Sequence, residues 1–220
     1  MSSATATPAL RSPAVRAPAA DRPATRRRPG ARRHGAGFWL VALALTSAMA
    51  FSTVPTPLYA LYQAEVGFST FTVTVVFAVY AVGVVLSLLL AGHVSDRVGR
   101  KRVVLAGLAL ELLAAALFLT GTSLPVLLLA RLVTGLGVGV LTSAATAHLH
   151  ELHRAHRPGR PGQRGEVVST AANTGGLGVG TLVAGLLAQH ADAPLRTPFL
   201  VVGALLLVSV VAVALAPETV

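Results

Sequence analysis

No cysteine occurs among the 220 residues, which excludes disulfides and thiolate-bound metal. Acids are scarce: eight Asp and Glu stand against 18 Lys and Arg, for a formal net charge of +10. Charged residues of both signs make up only 12% of the chain, against 54% hydrophobic residues and a mean hydropathy of +0.70. A soluble domain of this size has no need of so apolar a composition, so the membrane class comes first. A basic chain would suggest a nucleic-acid binder if its charge were spread over a globular surface. Here it is clustered, with eight Arg before residue 38, four cations in 97–102 and four Arg in 154–164, leaving only Arg131 and Arg196 elsewhere. Such clustering carries topology, and no nucleic-acid partner is inferred from it.

Residues 1–37 contain no apolar run and do not read as a signal peptide. They carry a crude five-residue repeat starting at Pro8, Pro13, Pro18 and Pro23 (PALRS, PAVRA, PAADR, PATRR). Proline at that density blocks helix ladders, and little apolar surface is available to offset ordering entropy. The composition predicts a disordered or polyproline-like tail.

Six unbroken apolar segments follow, near 38–62, 71–92, 103–121, 124–147, 167–189 and 198–216. At ~1.5 Å per residue each can cross ~30 Å of hydrocarbon as a helix. The runs do not alternate, which excludes short barrel strands. The expected fold is therefore all-α: six transmembrane helices forming one polytopic bundle over residues 38–218. Trp39, Tyr59 and Tyr62 read as interface anchors at the ends of the first span. The tail, the 93–102 loop and the 148–166 loop hold 16 Lys and Arg, and the opposite side holds only Arg196. Both termini are accordingly expected on the cytoplasmic side of a cell membrane.

Two ionisable residues lie deep inside spans. Arg131, in the fourth, must snorkel, find an acid or face a wet cavity. Glu111, in the third, is the only acid within any span, and a short connection makes the two helices antiparallel neighbours. Either the pair meets, or Arg131 snorkels outward and Glu111 stands alone. Hydroxyls and amides concentrate in the first, fourth and fifth spans, so Thr46, Thr142 and Asn173 are candidate cavity-lining residues, with the almost wholly apolar sixth span outside. Small residues in the fifth span, Gly176, Gly180 and Gly185, permit close helix packing. His148, His150, His153 and His156 crowd the basic loop after the fourth span, a poor setting for a cation, so no metal site is assigned. No His/Asp/Ser set or acidic dyad occurs within the spans, which argues against an enzyme, and nothing calls for a cofactor.

The segment Gly92-His93-Val94-Ser95-Asp96-Arg97-Val98-Gly99-Arg100-Lys101 resembles the loop signature of the major facilitator superfamily between its second and third helices. That pattern is Gly, three residues, Asp-Arg, one residue, Gly-Arg-Arg/Lys, matched by Gly92, Asp96, Arg97, Gly99, Arg100 and Lys101. Arg131 with Gly135 resembles a second signature, whose Arg is associated with proton coupling in relatives. Gly176, Gly180 and Gly185 resemble a third, typical of antiporters, with Thr181 where that pattern has Pro and Ala184 where it has Gly. Glu151 and Arg164 resemble the acid and Arg that relatives place near the signature Asp. The resemblance spans residues 38 to about 218 and implies the first six-helix half of a twelve-span transporter. It further implies a proton-coupled secondary transporter, an exporter of small organic molecules such as drugs. Its partners would be a small-molecule substrate, protons, the lipid bilayer, and a second six-helix bundle or a second copy. The alternative is a non-transporting membrane protein, a fragment or an assembly partner.

Overall fold

The computed structural model describes residues 29–156 and 163–215, with side chains described in 35–90, 99–154 and 164–215. Among these residues there are seven helices and no strand: α1 Pro29–Thr53, α2 Pro55–Val66, α3 Thr70–Val98, α4 Arg100–Thr120, α5 Leu124–His156, α6 Gln163–His190 and α7 Thr197–Leu215. They provide six membrane-crossing lengths, the first being α1 and α2 together over Gly35–Val66. The fold is all-α, as the unbroken apolar runs require.

Proline chemistry explains why the first span comes in two pieces. Within a helix, a proline removes an N–H donor and its ring clashes with the carbonyl four residues back. Pro55 and Pro57 do this in succession. The helix stops at Thr53, the Val54 N–H turns back to the Phe51 carbonyl at 3.1 Å, and α2 resumes at Pro55. α2 ends at Gly67, whose left-handed backbone (φ 79°, ψ 25°) suits glycine, and Ser69 then caps α3 by accepting from the Thr72 N–H at 3.1 Å.

The helices interlock as two triplets. α1 packs on α6 and α7 of the second triplet, while α5 packs on α3 and α4 of the first, and α4 meets α7. Lipid is as apolar as leucine, so close backbone approach and interhelical hydrogen bonds must hold these seams. A Cβ on Gly83 would sit 2.6 Å from the Leu132 carbonyl oxygen, so glycine sets the α3–α5 distance. At the α1–α6 seam, the Thr53 hydroxyl donates to the Leu177 carbonyl at 3.0 Å. Ser209 Oγ donates to Ser47 Oγ at 3.0 Å between α7 and α1. Phe118 and Phe199 stack with centroids 4.4 Å apart, and Phe51 meets both edge-on at 6.3 Å, filling the space between α4, α7 and α1.

Several expectations change. The 93–102 loop is almost entirely helical: α3 runs through Val98 and α4 starts at Arg100, leaving Gly99 alone as the turn. Its φ of 97° and ψ of 137° lie where a side chain would be strained, so the second glycine of the signature has a backbone reason. Gly92, by contrast, is helical. The tail expected over 1–37 is already helical from Pro29, and residues 1–28 lie outside the described residues. In the sixth span, α7 buries one face through Phe199, Val202, Leu206, Ser209 and Val213 and leaves the other apolar and exposed through Leu200, Leu207, Val208 and Val211. The least covered helices are α3 and α6, the second and fifth spans.

Candidate functional site

Among the described residues, two formally charged side chains are fully buried, Arg131 and Glu111. Arg131 on α5 is completely buried. Its Nε donates to the Tyr59 hydroxyl at 2.8 Å and its Nη1 to the Ser52 carbonyl at 2.9 Å. The guanidinium carbon also lies 5.3 Å from the Tyr59 ring centroid and 5.2 Å from that of Tyr80, so two aromatic faces share the cation. Nη2 has no hydrogen-bond partner. Arg131 does not snorkel.

Glu111 on α4 is equally buried, with neither carboxylate oxygen hydrogen-bonded. It fits because α5 offers a glycine opposite: a Cβ on Gly137 would come within 2.9 Å of Glu111 Oε1. One turn earlier, Gly107 lies against Leu141 in the same way, bringing α4 and α5 close enough to seal the acid from solvent. Glu111 and Arg131 are near enough to influence each other electrostatically, yet form no ion pair. The direct pairing considered from sequence is thus replaced by a near approach, with Arg131 held by the first span instead.

Sequence reasoning missed the residues that hold it. Tyr59 and Tyr62 are not interface anchors but buried residues of α2, and Tyr59 is the main side-chain partner of Arg131. The signal was present as Pro55 and Pro57: a broken helix offers carbonyls and side chains at angles that an intact one does not. The spacing of Arg131 and Gly135 also gains a reason. At i and i+4 they share a face, and Gly135 lets α3 approach, carrying Tyr80 and Gly83 with it.

The other candidates are dispersed. Gly176 and Gly180 face α1, where a Cβ on Gly176 would lie 2.6 Å from the Thr46 carbonyl and one on Gly180 would strike the Ala50 carbonyl. Gly185 has only ordinary room, 3.9 Å from Pro57 Cβ. Thr46 and Asn173 are half-buried near the same α1–α6 seam, and the Thr46 hydroxyl donates to the Ala42 carbonyl of its own helix. Thr142 on α5 does not join them, and its hydroxyl oxygen is buried rather than turned to an open path.

At the basic end, the Arg100 guanidinium Nε donates to Glu151 Oε1 at 3.1 Å, tying the start of α4 to the end of α5. Lys101 Nζ donates to the Ala214 carbonyl at 2.7 Å, where a cation suits the carbonyl-rich end of α7. The side chains of Asp96 and Arg97 lie outside the described residues. His148 and His153 turn inward, the latter against the Phe38 ring at 5.9 Å. Arg164 is exposed at the start of α6.

Two interlocked helical triplets, long enough to cross a membrane and closed around a buried arginine and acid, define a polytopic membrane protein with an ionisable centre. A family model described as Major Facilitator Superfamily matches residues 40–219. No curated protein matches the chain. The chain belongs to the major facilitator superfamily, a family of membrane transporters of small molecules.

Proposed function

We propose that the chain serves proton-coupled secondary transport, as the exporting type of this family, with Glu111 as the acid that gains and loses the proton. The observation that supports this best is Glu111 itself: fully buried, with both oxygens unpartnered and a fully buried arginine nearby but engaged elsewhere. An uncompensated buried carboxylate costs several kcal/mol by order of magnitude. Only a proton or the approach of Arg131 relieves it. A group with two such alternatives can couple proton movement to rearrangement.

In this reading Gly92, Asp96, Arg97, Gly99, Arg100 and Lys101 form a conformational latch at the cytoplasmic side, and both termini are cytoplasmic. The substrate is a small organic molecule of the drug-like class. α6 turns Thr174, Gly175, Gly178 and Thr181 outward, and polar backbone and hydroxyls of this kind are better covered by protein than by lipid. A second six-helix bundle is the partner that would cover them and supply the other wall of a transport path. The competing reading, an assembly component that does not itself move substrate, differs in having no use for a titrating acid.

The test is proton movement in liposomes that hold the chain assembled with a second six-helix bundle, with a trapped pH dye and a panel of lipophilic amines and neutral drugs as substrates. Substrate-dependent proton movement that disappears in Glu111→Gln is the expected result. Unchanged proton movement in that variant would overturn the role of Glu111, and its absence from the unsubstituted protein with every compound would favour the assembly reading.

A further inference from the structure

The two hydrogen bonds of Arg131 fall on opposite sides of the break in the first span. Ser52, which offers its carbonyl, is on α1, and Tyr59, which offers its hydroxyl, is on α2. Between them lie Val54 and the two prolines, where the helix ladder lacks two donors. α2 rests chiefly on α6 among the other helices and scarcely on α1. A single guanidinium therefore joins the two pieces at the point where the backbone joins them least.

We infer that Arg131 is a clasp across this break, positioned by Tyr59 and the Ser52 carbonyl, and that charging of Glu111 opens it. This rests on the reading of Glu111 as the proton-carrying acid. The chemistry needs no additional group. When Glu111 gives up its proton to water, its carboxylate competes for the guanidinium, whose Nη2 is already unpartnered. Arg131 swings toward Glu111 and gives up Tyr59, leaving α2 free to pivot about Val54–Pro57. When a proton returns to Glu111, the guanidinium goes back to Tyr59 and Ser52 and holds α2 in its present position against α1. Among the described residues, the charged and titratable groups felt at Glu111 are few: Arg131 from α5 and Tyr80 from α3. α7 and the Leu45–Thr53 stretch of α1 contain none. Tyr80 stacks against the same guanidinium and offers it a surface along which to move rather than a competing charge.

Because the chain has no cysteine, a spin-label pair can be placed cleanly at Ala64→Cys on α2 and Leu129→Cys on α5, both exposed. Distances are measured in nanodiscs in acidic and alkaline buffer. The parent pair should shift its modal distance by roughly 2 Å or more between the two, the scale of helix shifts in switching proteins. Glu111→Gln should abolish the shift and keep the acid-form distance. Tyr59→Phe, which removes one oxygen and keeps the packing, should move the acid distance toward the alkaline one. Arg131→Lys should do the same, since an ammonium lacks the fork that reaches both partners. If the shift vanishes in Glu111→Gln but Tyr59→Phe behaves as the parent, the clasp is wrong and the acid survives. A shift retained in Glu111→Gln removes the acid as trigger and takes the underlying reading with it.

Discussion

Gly178 and Gly180 lie two residues apart on α6 and should respond to the same substitution with opposite signs. A Cβ at Gly180 would stand 2.6 Å from the Ala50 carbonyl carbon and 2.5 Å from Thr53 Oγ1. The carbonyl is backbone inside α1 and cannot yield by rotating a side chain. The Thr53 hydroxyl would have to leave the Leu177 carbonyl that it now meets at 3.0 Å. A Cβ at Gly178 meets nothing within 4 Å. Both alanines gain the same helix propensity, up to about 1 kcal/mol, so that contribution cancels in the comparison. What remains for Gly180→Ala is overpacking of about 1–3 kcal/mol. Loss of an interhelical hydrogen bond adds about 0.6 kcal/mol. The two variants should therefore differ by roughly 1.5–3.5 kcal/mol, about tenfold or more in the unfolding constant, with Gly178→Ala at or above the parent. Reversible unfolding of the purified chain in mixed detergent micelles, followed by helical circular dichroism, measures both. Equal stability of the two variants, or a Gly180→Ala protein as stable as the parent, would refute the claim that backbone contact sets the α1–α6 seam.

Two further expectations concern the basic side. A reporter active only in the cytoplasm, fused after Val220, should be active, and a fusion active only on the outer side would overturn the orientation drawn from the Lys and Arg distribution. Asp96→Asn should leave the chain by itself nearly unchanged, since a latch needs the other bundle. In an assembly with a second bundle, the same change should alter the labelling rate of a cysteine introduced on the cytoplasmic side while leaving substrate affinity nearly intact. Identical labelling rates there would remove Asp96 from the latch.

How much was legible in advance depends on the range of the interaction. Gly99 could be found from its signature, and its positive φ shows why glycine is required there, because one residue must reverse the chain between α3 and α4. The loop around it is shorter than the apolar runs suggest, because charged residues such as Arg100 and Lys101 do not end helices. They continue helices into the interface by reaching Glu151 and the Ala214 carbonyl. Glu111 and Arg131 stood out because an ionisable group in hydrocarbon is expensive enough to be noticed without a structure. Their partners did not stand out. Tyr59 at the end of a span looks the same in sequence whether it faces headgroups or a guanidinium.

The sequence by itself determined the membrane class, six helical crossings and the presence of an ionisable centre, all of which follow from apolar run length and from the cost of charge in lipid. Only the tertiary structure decided what that centre touches. Gly137 admits the Glu111 carboxyl, Pro55 and Pro57 break the first span, and α5 carries Arg131 to Ser52 and Tyr59, 79 and 72 residues away along the chain. Contacts of that separation depend on which helix faces meet and how closely. Residues from three or four helices set both at once, so no periodicity along a single run can announce them.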